Sequence, residues 1–566
     1  MEPVSLAVSV ASLASLFSLC MQGYSSVRMA KNLGQDATML MCQFEIEEAR
    51  FITWGRGAGF LPTLDGIDTS EVNIPLEHAG AVSKVLGQIS KLMGDVQELR
   101  QRYGIVVEDT VLSTRQGKAE FIGGLQTLRE RFSVEYRRQS KFATSLQQSA
   151  SFLKKVQWVF TDKETLGSLI DTLRGFNDSL LSMQSTVSRR KFQHDFQALC
   201  FESAKTNDLA RLQVIKKTGY KPLALPVSHK VLRLRLELEY AERFDVSIDV
   251  GAKASSWPVT DLSVLKITRE KVYIEHMDAP RSLGLYQSRN VLVEWRDLKE
   301  SPTYATSGGQ VLYRLQLLSK LLHVDTPRPP EFRFLGCFGF LFEPQPPRFA
   351  FVFALPSTAT TAATAESLYD VLCDDASTRP RLSQTSRFKL ARHLASSLLH
   401  LHATGWLHKG VRSQNILLFG NRTSAAEVSA LIEEPFLVSH GYARLAANAA
   451  GTEPVTDGSD PHYRHPDLSD EKSRPEYRKQ YDIYALGVLL IEIAYWKPLH
   501  KLVSSRRSAE QSAKKLREMV ISGDLAHWMG CVYSDAVKWC FECQWREESE
   551  VEFFENVVKL LETCVV

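Results

Sequence analysis

The sequence predicts a multidomain protein that opens with an all-α helix bundle over residues 1–205, passes through a linker and connecting helix at 206–245, and continues as a second domain over 246–566. Three observations predict this. At about 150 residues per domain, 566 residues are too many for one small module. Apolar residues recur at helical spacing through the first 205 positions, with few strand signals. Lys216, Lys217, Gly219, Pro222 and Pro226 then interrupt that pattern ahead of a charged segment, HKVLRLRLELEYAERFD.

Composition narrows the class. A hydrophobic share of 44% and a charged share of 23% match an ordinary globular protein and exclude a mostly disordered or collagen-like chain. The formal net charge is only +3, so the chain lacks the basic excess of a nucleic-acid coat and no nucleic-acid partner is expected. Nine scattered cysteines suit a reducing compartment rather than a disulfide framework. The close pair Cys540 and Cys543 has the spacing of half a zinc site, without a second pair or a His cluster, and reads as helix cysteines.

The first element is an uncharged stretch, Val4 to Met21, reading VSLAVSVASLASLFSLCM. It follows Glu2 rather than a basic region and leads into Gln22, Gly23 and Tyr24, so it does not read as a cleaved signal. Its 18 residues, five of them serine, stand at the short end of a membrane-spanning length. Two readings follow: a buried core helix, or a helix that inserts into membrane conditionally through Val4, Leu6, Val8, Val10, Leu13, Leu16, Phe17 and Leu19.

Residues 36–54 run without Gly or Pro and form the next helix, and a Gly- and Pro-punctuated loop follows. His78 to Tyr103 places Val82, Val85, Leu86, Ile89 and Leu92 near helical spacing, and residues 118–157 continue without proline. Leu166, Leu169, Ile170, Leu173 and Phe176 make one apolar stripe. Such stripes bury each other in an antiparallel bundle. Between Arg115 and Lys155 nine Lys and Arg stand against three Glu, a basic face that is either solvated or laid on an anionic membrane surface.

The apolar first helix, the segment GQDATMLMCQFEIEEARFITWG (Gly34 to Gly55) and the segment KKVQWVFTDKETLGSLIDTLRGFNDSL (Lys154 to Leu180) resemble the fungal HeLo domain of heterokaryon-incompatibility and prion-inhibition proteins. The resemblance implies a helical, toxin-like module whose N-terminal helix leaves the bundle and enters membrane on activation. No C-terminal amyloid-forming repeat is visible, so activation by a templated fibril is not implied for this chain.

The second half resembles the protein-kinase fold, an α+β bilobal domain, through three segments in order: FKLARHLASSLLHLHATGWLHKGVRSQNILL (Phe388 to Leu418), YRHPD (Tyr463 to Asp467) and YDIYALGVLLIEIAYWKPL (Tyr481 to Leu499). Phosphoryl transfer needs a cation on the phosphates, carboxylates on metal and on the substrate hydroxyl, and a glycine-rich loop. On that resemblance the catalytic-loop His-Arg-Asp falls on His408, Lys409 and Gly410, which leaves no carboxylate. The metal-binding Asp-Phe-Gly falls on Ser439, His440 and Gly441, and a neutral serine is a poor Mg²⁺ ligand. Glu294, in VLVEW, stands where the phosphate-binding Lys belongs, and no GxGxxG occurs between 229 and 294. Asn415 alone of the ligand set remains.

The expectation is a pseudokinase that is no enzyme and carries no cofactor or metal, with ATP binding without catalysis as the alternative. His408, Gly441, Asp467 and Asp482 take structural or regulatory roles. Glu294 is expected to pair with Arg314 in the segment Val311 to His323, a charge-reversed version of the Lys and Glu pair of active kinases. His462 and His465 have metal-like spacing but sit in the activation-segment match, and STATTAATAES (Ser357 to Ser367) reads as a loop ahead of a helix at Leu368 to Leu372.

A membrane-perturbing bundle joined to a dead kinase-like domain is similar in architecture to the mixed lineage kinase domain-like executioners of cell death. It implies a fungal cell-death effector that is cytoplasmic at rest and membrane-associated when activated, with lipids, further copies of itself and an upstream activator as partners. The alternatives are a signalling adaptor that never touches membrane, and an unorthodox kinase.

Overall fold

The computed structural model describes residues 12–24 (apart from 22), 37–60, 74–94, 105–108, 157–160, 163–203, scattered positions between 212 and 234, 265–297 (apart from 277–278), 314–356 (apart from 327–328 and 345–346), 364–374, 382–420, 425–439, 443–445, 461–469, 475–504, 508–543 and 549–564. The chain divides into two compact units: unit 1 is Met1–Val231 with Val250–Ala252, and unit 2 is Leu232–Asp249 with Lys253–Val566.

Unit 1 is built on helices. Residues 12–21 form α1, Ala37–Gly57 α2, Leu76–Gly94 α3, Lys163–Ser182 α4 and Thr186–Ser203 α5. Helix α2 packs on α4 and α5, and α3 packs on α4. The stripe read from the sequence faces inward: Leu166, Leu169, Ile170 and Leu173 are all buried in α4, and Phe176 is half-buried. One feature corrects the all-helical expectation. Ile105–Glu108 (β1) and Gln157–Phe160 (β2) pair antiparallel, so QWVF lies in a strand. Val and aromatic residues side by side favour a pleated surface, and that preference outweighs the proline-free run leading up to it. The basic stretch Arg115 to Lys155 lies outside the described residues.

Unit 2 opens with a five-stranded antiparallel sheet made of Val272–Ile274 (β3), Arg281–Tyr286 (β4), Arg289–Asp297 (β5), Cys337–Pro344 (β6) and Pro347–Ala354 (β7). Their order across the sheet is β3-β4-β5-β7-β6. Strands β4 and β5 are joined by Gln287 and Ser288, both in the left-handed region (φ 50° and 62°), the backbone of a tight two-residue hairpin. Residues 314–321 (α6) sit between β5 and β6 in the chain, and the carbonyl of Leu322 just beyond accepts from the Cys337 amide at 2.6 Å. Along β7, Phe349, Phe351 and Phe353 alternate onto one buried face, while Ala350 and Val352 join Val291, Val293 and Trp295 on the other.

Helices dominate the rest of the unit. Thr364–Ser367 (β8) pairs with Ile416–Gly420 (β10), correcting the loop expected for this part of Ser357 to Ser367. Ser367 also caps Leu368–Cys373 (α7) in a reciprocal box with Asp370. Gln384–Ala403 (α8) leads to Trp406–Leu407 (β9) and then to the turn Ser413–Asn415. Ala425–Glu433 (α9), Phe436–Leu437 (β11) and Arg444–Leu445 (β12) follow.

Lys479–Tyr495 (α10) is the central helix of unit 2, with every residue from Tyr481 to Ala494 buried. That run explains why its apolar residues show no one-sided stripe: a helix packed all round needs none. Leu499–Leu502 (α11) and Ala509–Ile521 (α12) follow it, and Asp524–Met529 (α13) and Cys531–Glu542 (α14) pack on it. Gly487 lets α14 come close, since a Cβ there would stand 2.8 Å from that of Cys540. Cys540 and Cys543 are free, and burial pushes the Cys543 thiol up to about 12.

Candidate functional site

Two places in the chain concentrate the residues singled out by the sequence. The first is the seat of α1. Phe17 is fully buried and stacks on Phe51 of α2, ring centroids 4.8 Å apart, with Phe60 at 5.7 Å. Tyr24 continues the stack onto Phe51 and Phe44 at 5.2 and 5.5 Å. Leu13 is buried, Leu16 is half-buried and Leu19 is 47% exposed, so the expected insertion face is split between core and solvent. Val4, Leu6, Val8 and Val10 lie outside the described residues. Among those described, no helix is long and apolar enough to cross a membrane.

Behind α2 lies a buried charge cluster that the sequence reading missed. The Glu47 side chain, 1% exposed, accepts from Arg50 Nη1 at 2.9 Å, Arg174 Nε at 3.1 Å and Asn177 Nδ2 at 3.0 Å. Arg50 Nη2 reaches on to Asp178 at 2.5 Å. A carboxylate taken out of water needs this much compensation. Burial pushes the Tyr24 hydroxyl far above its ordinary value, and the Glu47 charge adds to it. The signal available in the sequence was Glu47 and Arg50 at i, i+3 on a helix whose apolar stripe they interrupt.

The second place is the cleft of unit 2 where the sheet meets the loop 408–415. Arg281 and Glu294 stand directly opposite one another in the β4–β5 ladder. Arg281 Nε lies 3.2 Å from Glu294 Oε2, its Nη1 donates to the Gln414 carbonyl at 2.9 Å, and its Nη2 donates to Asn415 Oδ1 at 2.6 Å. Glu294 Oε2 also accepts the backbone amide of Ser439 at 2.9 Å, where Ser439 adopts φ 74°. Asn415 Nδ2 in turn donates to the Gly410 carbonyl at 2.8 Å.

Where the expectation named Arg314, the structure pairs Glu294 with Arg281; Arg314 lies half-buried in α6. The physical reason is register. A two-residue hairpin turn at Gln287 and Ser288 brings Arg281 across from Glu294, so the pair forms within the ladder and needs no helix to reach in.

Beneath the cleft, Asp482 of α10 organises the loop. It is fully buried and accepts the amides of His408 at 2.7 Å and Lys409 at 2.8 Å, His402 Nε2 at 3.1 Å and the Tyr477 hydroxyl at 2.9 Å. Burial alone would raise its pKa, but the hydrogen bond and charge of His402, with His408, hold it below the usual carboxylate range. Burial keeps His408 neutral, its pKa lowered to about 4. Lys409 sits at φ 64° with its ammonium 5.1 Å over the Tyr477 ring.

Asp467 lies against His465, which caps the turn Pro466–Leu468, and His462 bonds to Ser512 at 2.7 Å. Gly441 lies outside the described residues. Among those described, no three His, Cys, Asp or Glu side chains converge as metal ligands. At the cleft the structure therefore brings together Glu294, Asn415, Gly410 and Ser439, with Arg281 added. Among the described residues, the Arg281 guanidinium, the Glu294 carboxylate and the Asn415 carboxamide are each bonded to one another or to backbone there.

Residues 5–215 match the family model for HeLo, prion-inhibition and propagation, so the N-terminal part of the chain carries a HeLo domain. Residues 352–556 match a domain of unknown function, DUF7580. Among curated proteins, heterokaryon incompatibility protein S and heterokaryon incompatibility protein s, both of Podospora anserina, are each 21% identical over 180 residues. That overlap is 32% of this chain and 58% of the relatives' own length.

Proposed function

We propose that this chain is a fungal cell-death or incompatibility effector in which a catalytically silent, kinase-like second unit restrains a membrane-perturbing HeLo unit. The observation that carries the reading is the seat of α1: within a HeLo domain, Leu13 is buried and Phe17 and Tyr24 are buried against aromatic side chains, so an insertion face needs a trigger to emerge. The kinase-like reading of unit 2 is supported by its sheet order with a helix between the third and fourth strands, and by the buried Asp482 accepting amides from the loop at His408 and Lys409. Fold alone does not fix activity, so the site must decide. On this reading a neutral Ser439, a side-chain-free Gly410 and an ion-paired Glu294 stand where a kinase needs a metal-binding carboxylate, a carboxylate for the substrate hydroxyl and a cation on the phosphates. On this reading lipids, further copies of the chain and an upstream activator are the partners, and the chain moves from cytoplasm to membrane.

The test expresses the full chain and residues 1–231 in a fungal host and scores viability and membrane association. The expected result is death and membrane association for the shorter chain and neither for the full one. If neither form kills or moves, the membrane reading fails and a signalling adaptor replaces it. Equal toxicity of both forms removes the restraint.

A further inference from the structure

Arg281 was not singled out by the sequence, yet its side chain has three polar partners on two segments of the chain. Its backbone belongs to β4, while two of its three polar partners, the Gln414 carbonyl and Asn415 Oδ1, belong to the loop between β9 and β10. Its third partner, Glu294, is tied to a further segment through the Ser439 amide. One guanidinium thus joins the sheet to the catalytic-loop equivalent, and one carboxylate joins the sheet to the segment after β11. A planar fork suits this geometry because its donors point at separate acceptors simultaneously, which an ammonium cannot imitate. The Arg281 side chain is 26% exposed while that of Glu294 is 8% exposed, so the cation is the member of the pair that meets solvent.

We infer that Arg281 is an internal latch: its side chain clamps the sheet to the loop at Gln414 and Asn415, and must withdraw before the two can part. The latch rests on the proposed restraint by unit 2, for which it supplies the moving part. A two-state element of this kind is what a silent domain needs in order to report an event without performing chemistry. Because the cation is the more exposed of the two, a competing anion or carboxylate reaching Arg281 from solvent is the class of ligand that would draw it out.

Two full-length variants test this. Arg281→Gln removes the clamp, and the double variant Arg281→Gln with Glu294→Gln removes it without leaving a buried carboxylate unpaired, so that one of the two keeps its fold. Hydrogen exchange is read at the amides of Asn415, Val438 and Ser439 and, as a control, within α10. The latch predicts exchange about tenfold faster at the first three, with α10 protection and the global unfolding midpoint of the double variant unchanged. It also predicts that the variant chain moves to membrane in the host.

Unchanged exchange at the cleft in the folded double variant overturns the latch. Faster exchange with a chain that stays off the membrane also overturns it as the release device. In that case a full-length chain cut at a protease site inserted at the boundary between the units separates the two ideas. If the cut chain reaches membrane, restraint by unit 2 stands and only the latch falls; if it does not, both fall.

Discussion

The ring of Phe17 lies over the backbone of Gly55: a Cβ built on Gly55 would come 2.2 Å from both Cε2 and Cζ of that ring. No side chain fits there while Phe17 keeps its stack on Phe51. Gly55→Ala at an ordinary helical position would stabilise by up to about 1 kcal/mol. Here the sign reverses. The variant is expected to lose about 1–3 kcal/mol to overpacking, read as a lower urea midpoint. A Trp54 fluorescence shift should accompany it, because Trp54 packs 6.2 Å from Phe17.

Glu47→Ala leaves Arg50 and Arg174 without their shared buried carboxylate. Removing one partner of a buried pair costs about 3–5 kcal/mol, whereas Asp171→Ala, which breaks only the exposed pair with Arg174, costs less than about 1 kcal/mol. Chemical denaturation of both variants checks the contrast.

Asp482→Ala orphans the amides of His408 and Lys409 within the protein interior. A loss of about 3 kcal/mol or more is expected, seen as a lower melting temperature, since each unsatisfied buried donor costs roughly 1–3 kcal/mol.

Unit 2 should weaken on mild acidification. Burial lowers His400 and His408 to about 4 from an ordinary 6.5, so between those values the unfolded chain binds protons that the folded one refuses. The contribution is complete above pH 6.5 and falls as pH drops, by about 1.4 kcal/mol per pH unit for each histidine. Urea midpoints at pH 7.5 and 5.0 give the sign directly, with the lower value at pH 5.0.

Mg-ATP is expected to leave the melting temperature of the full chain within about 1 °C of its ligand-free value, because only a ligand that binds the folded state raises it. The paired Arg281 and Glu294 occupy the cleft, and Glu294 brings a negative charge to it. A saturable upward shift would return nucleotide binding to the account.

Much of this architecture is legible in the sequence, and the exceptions have physical causes. The helices at Ala37–Gly57, Leu76–Gly94 and Lys163–Ser182 follow from apolar spacing, because each needs only local periodicity. The strand Gln157–Phe160 escaped notice because four residues are too few for alternation to show. Glu294 was found by its place in a motif, but its partner was not. Pairing across a sheet depends on register, and the turn that sets it is Gln287 and Ser288 rather than a recognisable Asn-Gly or Asp-Gly. Once that turn is known, counting outward from it puts position 281 opposite 294. The Glu47 cluster joins α2 to residues over a hundred positions away, a distance at which no pattern in a single sequence speaks.

Helix α2 therefore carries two seams of opposite solubility. Toward α1 it presents rings, which hold in water and lose their advantage in hydrocarbon, where a lipid tail serves as well as a neighbouring phenylalanine. Toward α4 it presents ions, whose attraction grows as the surroundings become less polar. Moved from water toward oil, the bundle would come undone along one line and tighten along the other.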